Sequence, residues 1–150
     1  MTAYRLEREQ IIPRPLEEVF RYFSRAENLE TLTPPFLRFR ILTELPIPMR
    51  EGTHIEYSLR LYGFPIRWRT LIEAWEPGRR FVDVQVRGPY KLWRHTHSFE
   101  AVPAGTLMRD TVDYALPFGP LGTLMHALLV RRTLDRIFTY RRQKIRALMG

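Results

Sequence analysis

The chain has 150 residues, 45% hydrophobic and 27% charged, the balance of one soluble globular domain. It contains no cysteine, which excludes disulfides and thiolate catalysis, and its net charge of +8 raises the question of anionic partners without answering it. The N-terminal MTAYRLEREQ lacks a signal peptide's apolar run, and the most apolar stretch, ALPFGPLGTLMHALLV, is too short and too broken by Pro117, Gly119, Pro120 and Gly122 to cross a bilayer. One cytoplasmic domain over 1–150 is the expectation.

YRLEREQII alternates Tyr4 and Leu6 with charged neighbours and reads as a first strand. PRPLEEVFRYFSR reads as a helix: Pro15 suits the first turn, Glu17 and Glu18 its positive end, and Leu16, Val19, Phe20 and Phe23 form one stripe. A short helix over Ala26 to Leu32 is predicted to end at Pro34-Pro35. Six strands follow. Leu37, Phe39 and Ile41 alternate in the next one, and HIEYSLRLY places Ile55, Tyr57, Leu59 and Leu61 on one face. After a turn at Gly63-Phe64-Pro65, the segment IRWRTLIEAW sets Ile66, Trp68, Thr70, Ile72 and Ala74 against Arg67, Arg69 and Glu73. FVDVQV is a short strand, and KLWRHTHSFEAV and TLMRDTVDYAL form a hairpin about Pro103-Ala104-Gly105. The last element is a helix of about Leu121 to Leu148, with Leu124, Leu128, Leu134, Phe138, Ile145 and Leu148 as its apolar stripe.

An antiparallel sheet must bury one face, and the large amphipathic partner available to it is this last helix. The expected fold is therefore α+β: a curved antiparallel sheet of about six to seven strands wrapped around a long C-terminal helix, with two short helices after strand one. That order, together with LTPP at 32–35, FVDVQVRGPYKLWRHTHSF at 81–99, TLMRDTVDYALPFGPLG at 106–122 and LDRIFTYR at 134–141, resembles the START-like, or SRPBCC, superfamily and its polyketide cyclase/dehydrase-type members. The resemblance implies a helix-grip fold with a deep cavity between sheet and helix. It does not imply one activity, because this scaffold hosts transporters, receptors, cyclases and hydrolases.

KLWRHTHSFE carries the most informative chemistry. Trp93, His95, His97 and Phe99 share one strand face, and its aromatics mark that face as buried. With a two-residue turn at Pro103-Ala104, Val102 faces Gly105, His97 faces Asp110 and His95 faces Val112. A carboxylate beside a buried imidazole fixes its tautomer and relieves the burial of both groups. Asp83 is available from the preceding strand, its register open by one residue across the loop at 87–90. As a purely structural cluster this is a satisfied pair of core histidines. As the floor of a pocket, His95, His97, Asp110 and Thr70 orient a ligand that Tyr57, Trp68, Trp93, Phe99 and Tyr114 enclose.

A His-x-His strand also has metal-ligand spacing, but Glu100 has the wrong parity, His54 and His126 are not placed nearby, and Asp110 is the best third donor; no metal and no cofactor are expected. As an enzyme, the chain would use His97, Asp110 and His95 as a general base in cyclase or dehydratase chemistry. No GxSxG motif or cysteine nucleophile accompanies them.

The chain from Leu121 onward has seven basic residues against the acid Asp135. The plain reading is a solvated face; the sharper ones are an anionic membrane surface or RNA. Nucleic acid is not the expected partner, since Tyr140 beside Arg141 and Arg142 is the one aromatic patch among these arginines. No pattern specifies an oligomeric state. The leading expectation is non-covalent binding of a hydrophobic or aromatic small molecule, with lipids, quinones and polyketide-like compounds as classes.

Overall fold

The computed structural model describes residues 2–150. Strand β1 (Ala3–Ile12) precedes helices α1 (Leu16–Phe23) and α2 (Asn28–Leu32). Strands β2 (Arg40–Ile41), β3 (His54–Leu61), β4 (Phe64–Glu76), β5 (Arg80–Arg87), β6 (Leu92–Val102) and β7 (Gly105–Ala115) follow. The C-terminal stretch is helical throughout: α3 (Gly119–Met125), a π-turn (His126–Val130) and α4 (Arg131–Met149). The strands form one antiparallel sheet in the order β1-β7-β6-β5-β4-β3-β2, the helix-grip arrangement expected from the sequence.

The local signals explain most of these elements. Glu17 and Glu18 occupy the first turn of α1, which buries Val19, Phe20 and Phe23 against Phe81, Phe99 and Met108 of the sheet. The β6–β7 turn is the two residues Pro103-Ala104, with Val102 opposite Gly105. Gly105 has φ 136°, and a Cβ there would collide with the Ile12 carbonyl, so glycine is required where β7 starts against the end of β1.

Four expectations need correction. Leu37 lies in a 3₁₀ turn (Pro35–Leu37), because Pro34-Pro35 fix φ and remove two donors; only Arg40 and Ile41 pair with β3. The β3–β4 turn is Tyr62-Gly63, both with positive φ, so Phe64 and Pro65 belong to the strand. A bulge at Glu73 sets Ile72 opposite Asp83 but Ala74 opposite Val82, so beyond it Trp75, not Ala74, packs on Phe20 and Phe81. Finally, Leu124, Leu128 and Leu148 are exposed. The helix buries Gly122, His126, Leu134, Phe138, Arg141, Ile145 and Met149 instead, the wider π-turn setting the register between its two halves.

Candidate functional site

Three apolar clusters surround a space between the sheet and the C-terminal helix. One joins α1 to β5–β7, a second is centred on β3 and β4, and the third joins β1 and β7 to Leu134 and Phe138. Where they meet, a cavity of about 180 Å³ remains. Its walls are apolar and aromatic, Tyr57, Trp68, Trp93, Leu134 and Phe138 among them, and its polar end is formed by Asp83, His95, His97 and Arg141.

The sheet register builds that polar end. His97 pairs with Asp110 across β6–β7, and His95 pairs with Asp83 across β5–β6. The hydrogen bonds run along the diagonals. His97 Nε2 donates to Asp83 Oδ2 at 2.6 Å, and His95 Nε2 donates to Asp110 Oδ1 at 2.8 Å. An ionised carboxylate only accepts, so the Nε2 atoms carry the protons. The two imidazoles stack with centroids 3.7 Å apart, and Phe81 covers the outer face of His97 at 4.1 Å. His97 Nδ1 is buried without a hydrogen-bond partner, 3.4 Å from Asp110 Oδ1.

Arg141 completes the cluster. It is 6% exposed, and its Nε and Nη2 donate to Asp110 Oδ2 and Oδ1 at 3.3 and 3.4 Å. Read as part of a solvated basic face, it instead projects inward from α4. Its spacing carried the signal: Leu134, Phe138, Arg141 and Ile145 follow one another by four, three and four residues, the core-facing repeat of a helix.

These contacts set the charges. Burial and the neighbouring His97 hold His95 below the usual histidine value of 6.5, with Asp110 and Asp83 offsetting only part. Burial also pulls His97 down, but the carboxylates of Asp110 and Asp83 outweigh it and raise His97 above 6.5. Burial acts to raise Asp110 and is overcome by Arg141 and then both histidines, leaving it well below 3.8. Asp83 is lowered against its own burial chiefly by its hydrogen bond from His97. The cluster therefore sets the ionised carboxylates of Asp83 and Asp110 against the Arg141 guanidinium and two histidines of which His97 is the easier to protonate.

Six of the nine residues expected around a ligand line the cavity: Tyr57, Trp68, Thr70, Trp93, His95 and His97. Phe99 does not, because it is packed against Phe20 and Phe23 of α1. Tyr114 shares a 2.7 Å hydrogen bond with His126, which is stacked on Tyr4 at 3.6 Å, away from the polar end. Asp110 lies behind the histidines under Arg141, and the acid on the cavity wall is Asp83.

Asp83, not Asp110, is also the third group of the metal-like spacing, since one atom each of Asp83, His95 and His97 lie within 4.8 Å of one another. Two ligands of a tetrahedral zinc stand roughly 3.3 Å apart for metal bonds of about 2.0 Å. The 2.6 Å separation of His97 Nε2 and Asp83 Oδ2 is that of a shared proton.

A seven-stranded antiparallel sheet closed on a C-terminal helix over an internal cavity defines a START-like, SRPBCC-class protein. The chain belongs to the polyketide cyclase/dehydrase and lipid transport family, whose sequence profile matches residues 3–150. It is similar to TTHA0849 from Thermus thermophilus, with 24% identity, 99% of this chain and 100% of that one covered, and a TM-score of 0.64. The ginseng major latex-like protein 151 from Panax ginseng shares the fold at 12% identity, with 98% and 97% covered and a TM-score of 0.67. A nucleoside-diphosphate sugar epimerase from Corynebacterium glutamicum is 28% identical over 93% of this chain but only 28% of its own length, with a TM-score of 0.64. No curated protein matches the chain.

Proposed function

We propose that the protein binds a neutral, hydrophobic or aromatic small molecule non-covalently in this cavity. The observation that carries the reading is a partly open space of about 180 Å³ between sheet and C-terminal helix, with mainly apolar walls and a polar end at Asp83, His95, His97 and Arg141. A dry apolar cavity of about 150 Å³ holds benzene, whereas drug-sized ligands occupy ~300–1,000 Å³. The space therefore suits one aromatic ring, or two fused ones, and a lipid or quinone tail has to leave through an opening. At the polar end Asp83 Oδ1, His95 Nδ1 and Arg141 Nη1 have no hydrogen-bond partner among the described residues, which offers two acceptors and a donor to a hydroxyl or carbonyl group. A carboxylate ligand would be set against the ionised Asp83 on the cavity wall.

Native mass spectrometry of protein purified from its own host tests this by revealing any co-purified compound. A titration followed by tryptophan fluorescence, using Trp68 and Trp93 as reporters, compares 4-hydroxyacetophenone with acetophenone and 4-hydroxybenzoate. The expected order is hydroxyketone first, ketone second and carboxylate last. No co-purified compound together with no response to any probe overturns the reading.

A second reading, proton transfer on the bound molecule, is supported by the stacked imidazoles. His95 is the base: burial and the stacked His97 hold it below the usual histidine value, and its Nδ1 has no hydrogen-bond partner among the described residues. His97 has Nε2 on Asp83 and a buried Nδ1 beside Asp110, so it positions His95 and does not reach the ligand. A base of this kind suits enolisation or dehydration of a ketone, the chemistry of a cyclase or dehydratase. Exchange of the methyl protons of bound 4-hydroxyacetophenone in D₂O, read by NMR, is expected to be faster than in buffer and to lose its acceleration in His95→Gln. Equal exchange with both proteins removes His95 from the role.

A further inference from the structure

The leucines misassigned to the core point to a surface. Phe118 is 77% exposed, Leu128 61%, and Leu121 and Leu124 are more than half exposed. Leu121, Leu124, Met125 and Leu128 are spaced by three, four and seven residues, so they share one helix face, opposite the one that buries Gly122 and His126. Beside this helix stands the β3–β4 turn with Tyr62 and Phe64 exposed, tied down by a 2.9 Å hydrogen bond between Tyr62 Oη and Thr133 Oγ1. Single exposed leucines are ordinary, whereas a row of them with aromatics alongside marks an interaction surface.

The charge around this row is of one sign. Arg131, Arg132 and Arg136 follow it directly, exposed and without ion pairs among the described residues, Arg136 lying over the Phe36 ring at 4.2 Å. The one acid of the helical stretch, Asp135, is bound to Arg8 at 2.6 Å.

We propose that this face docks on an anionic lipid bilayer, with Phe118, Leu121, Leu124 and Leu128 in the acyl boundary and Arg131, Arg132 and Arg136 on headgroup phosphates. A second copy of the chain fits the face poorly, because a two-fold contact sets these arginines against their own counterparts with no acid to receive them. The purpose of docking rests on the ligand-binding reading. Leu61, next to Tyr62, and Leu134, next to Thr133, both line the cavity, so the docked surface adjoins the wall through which an apolar molecule would pass from bilayer to pocket.

Co-sedimentation of the full chain with vesicles of phosphatidylcholine, alone or mixed with phosphatidylglycerol, tests the surface. Binding to the mixed vesicles, weakened by added salt, is expected. The double variant Leu124→Asp/Leu128→Asp, at exposed positions and checked for an unchanged thermal transition, is expected to lower partitioning by about tenfold or more. Arg131→Gln and Arg132→Gln are each expected to lower it about fivefold. Equal partitioning of the leucine variant and the parent, or no binding to mixed vesicles, overturns the proposal. So does a dimer, seen by light scattering, that the leucine variant converts to a monomer, since that assigns the face to a second copy. The leucine variant should bind 4-hydroxyacetophenone as the parent does. If neither protein binds it while vesicle binding persists, the cavity reading falls and the docking surface stands.

Discussion

Arg141→Met is the substitution that most directly tests the charge arrangement inside the cavity. Methionine keeps much of the side-chain volume and removes the guanidinium that meets Asp110 at 3.3 and 3.4 Å. Both groups are buried, so the loss strands the Asp110 carboxylate and is expected to destabilise the fold by about 3–5 kcal/mol. For a domain of this size that lowers Tm by about 6–20 °C. The effect must depend on pH. In the parent, Asp110 sits well below 3.8, with Arg141 the strongest influence opposing its burial. Its contribution is present above the unfolded carboxylate value and is lost as pH falls through the folded value. Without Arg141 the folded value rises, so the variant's deficit is largest near neutrality and shrinks on acidification. Urea unfolding followed by tryptophan fluorescence, at about pH 7 and about pH 4.5, measures both. A deficit under about 1 kcal/mol at neutral pH, or one of the same size at both pH values, refutes the argument. Asp110→Asn combined with Arg141→Met supplies a check: removing both charges should cost at least about 1 kcal/mol less than the sum of the single changes.

The histidine assignment predicts two separate NMR titrations, His95 below 6.5 and His97 above it. His97, raised in the fold, contributes stability that is complete below the unfolded value and lost as pH rises through the folded one, so His97→Gln should cost more near pH 6 than near pH 9. A cost that grows with pH reverses the assignment. Gly105→Ala is expected to destabilise by more than about 1 kcal/mol, because φ 136° and the Ile12 carbonyl both reject a Cβ; a thermal transition within a degree of the parent would contradict this. Ala26→Phe, which adds a ring to the cavity wall, is expected to abolish binding of 4-hydroxyacetophenone while the chain still unfolds cooperatively. Undiminished affinity would place the probe elsewhere.

The fold was legible because its signals are local and repeated. Period-two strands, a two-residue hairpin turn and one long amphipathic helix leave few ways to bury the apolar faces. Counting back from Pro103-Ala104 placed His97 opposite Asp110, which is the observed register. The hydrogen bonds were not legible from it, because the stacked imidazoles reach past their direct neighbours to the diagonal carboxylates. Arg141 was misread by residue type: an arginine among arginines suggests solvent, and only its position in the repeat with Phe138 and Ile145 places it inside. The exposed leucines went wrong for the opposite reason. Leucine suggests core, but the π-turn changes the phase of the helix between Leu124 and Leu134, and no composition rule announces a π-turn; on α4 itself Met149, not Leu148, takes the inward position.

Three features of the molecule stabilise it less than well-packed apolar or solvated alternatives would, and all three involve the C-terminal helix. A buried ionic cluster is commonly no more stable than a well-packed apolar replacement, so Asp83, His95, His97, Asp110 and Arg141 are poor candidates for holding the fold together. An unfilled cavity beside Leu134 and Phe138 forfeits packing that larger side chains would recover. Leucines facing water on α3 and the π-turn gain nothing from the fold. Natural sequences depart from local consistency mainly where function requires it. Here the departures are linked, running along one helix from an apolar face on the outside, past Thr133 and Leu134, to the void and then to the charged cluster at Arg141. A helix that served only to close the sheet would need none of them, and any one alone could be incidental. Their order along a single element is what the proposed path from bilayer to pocket requires.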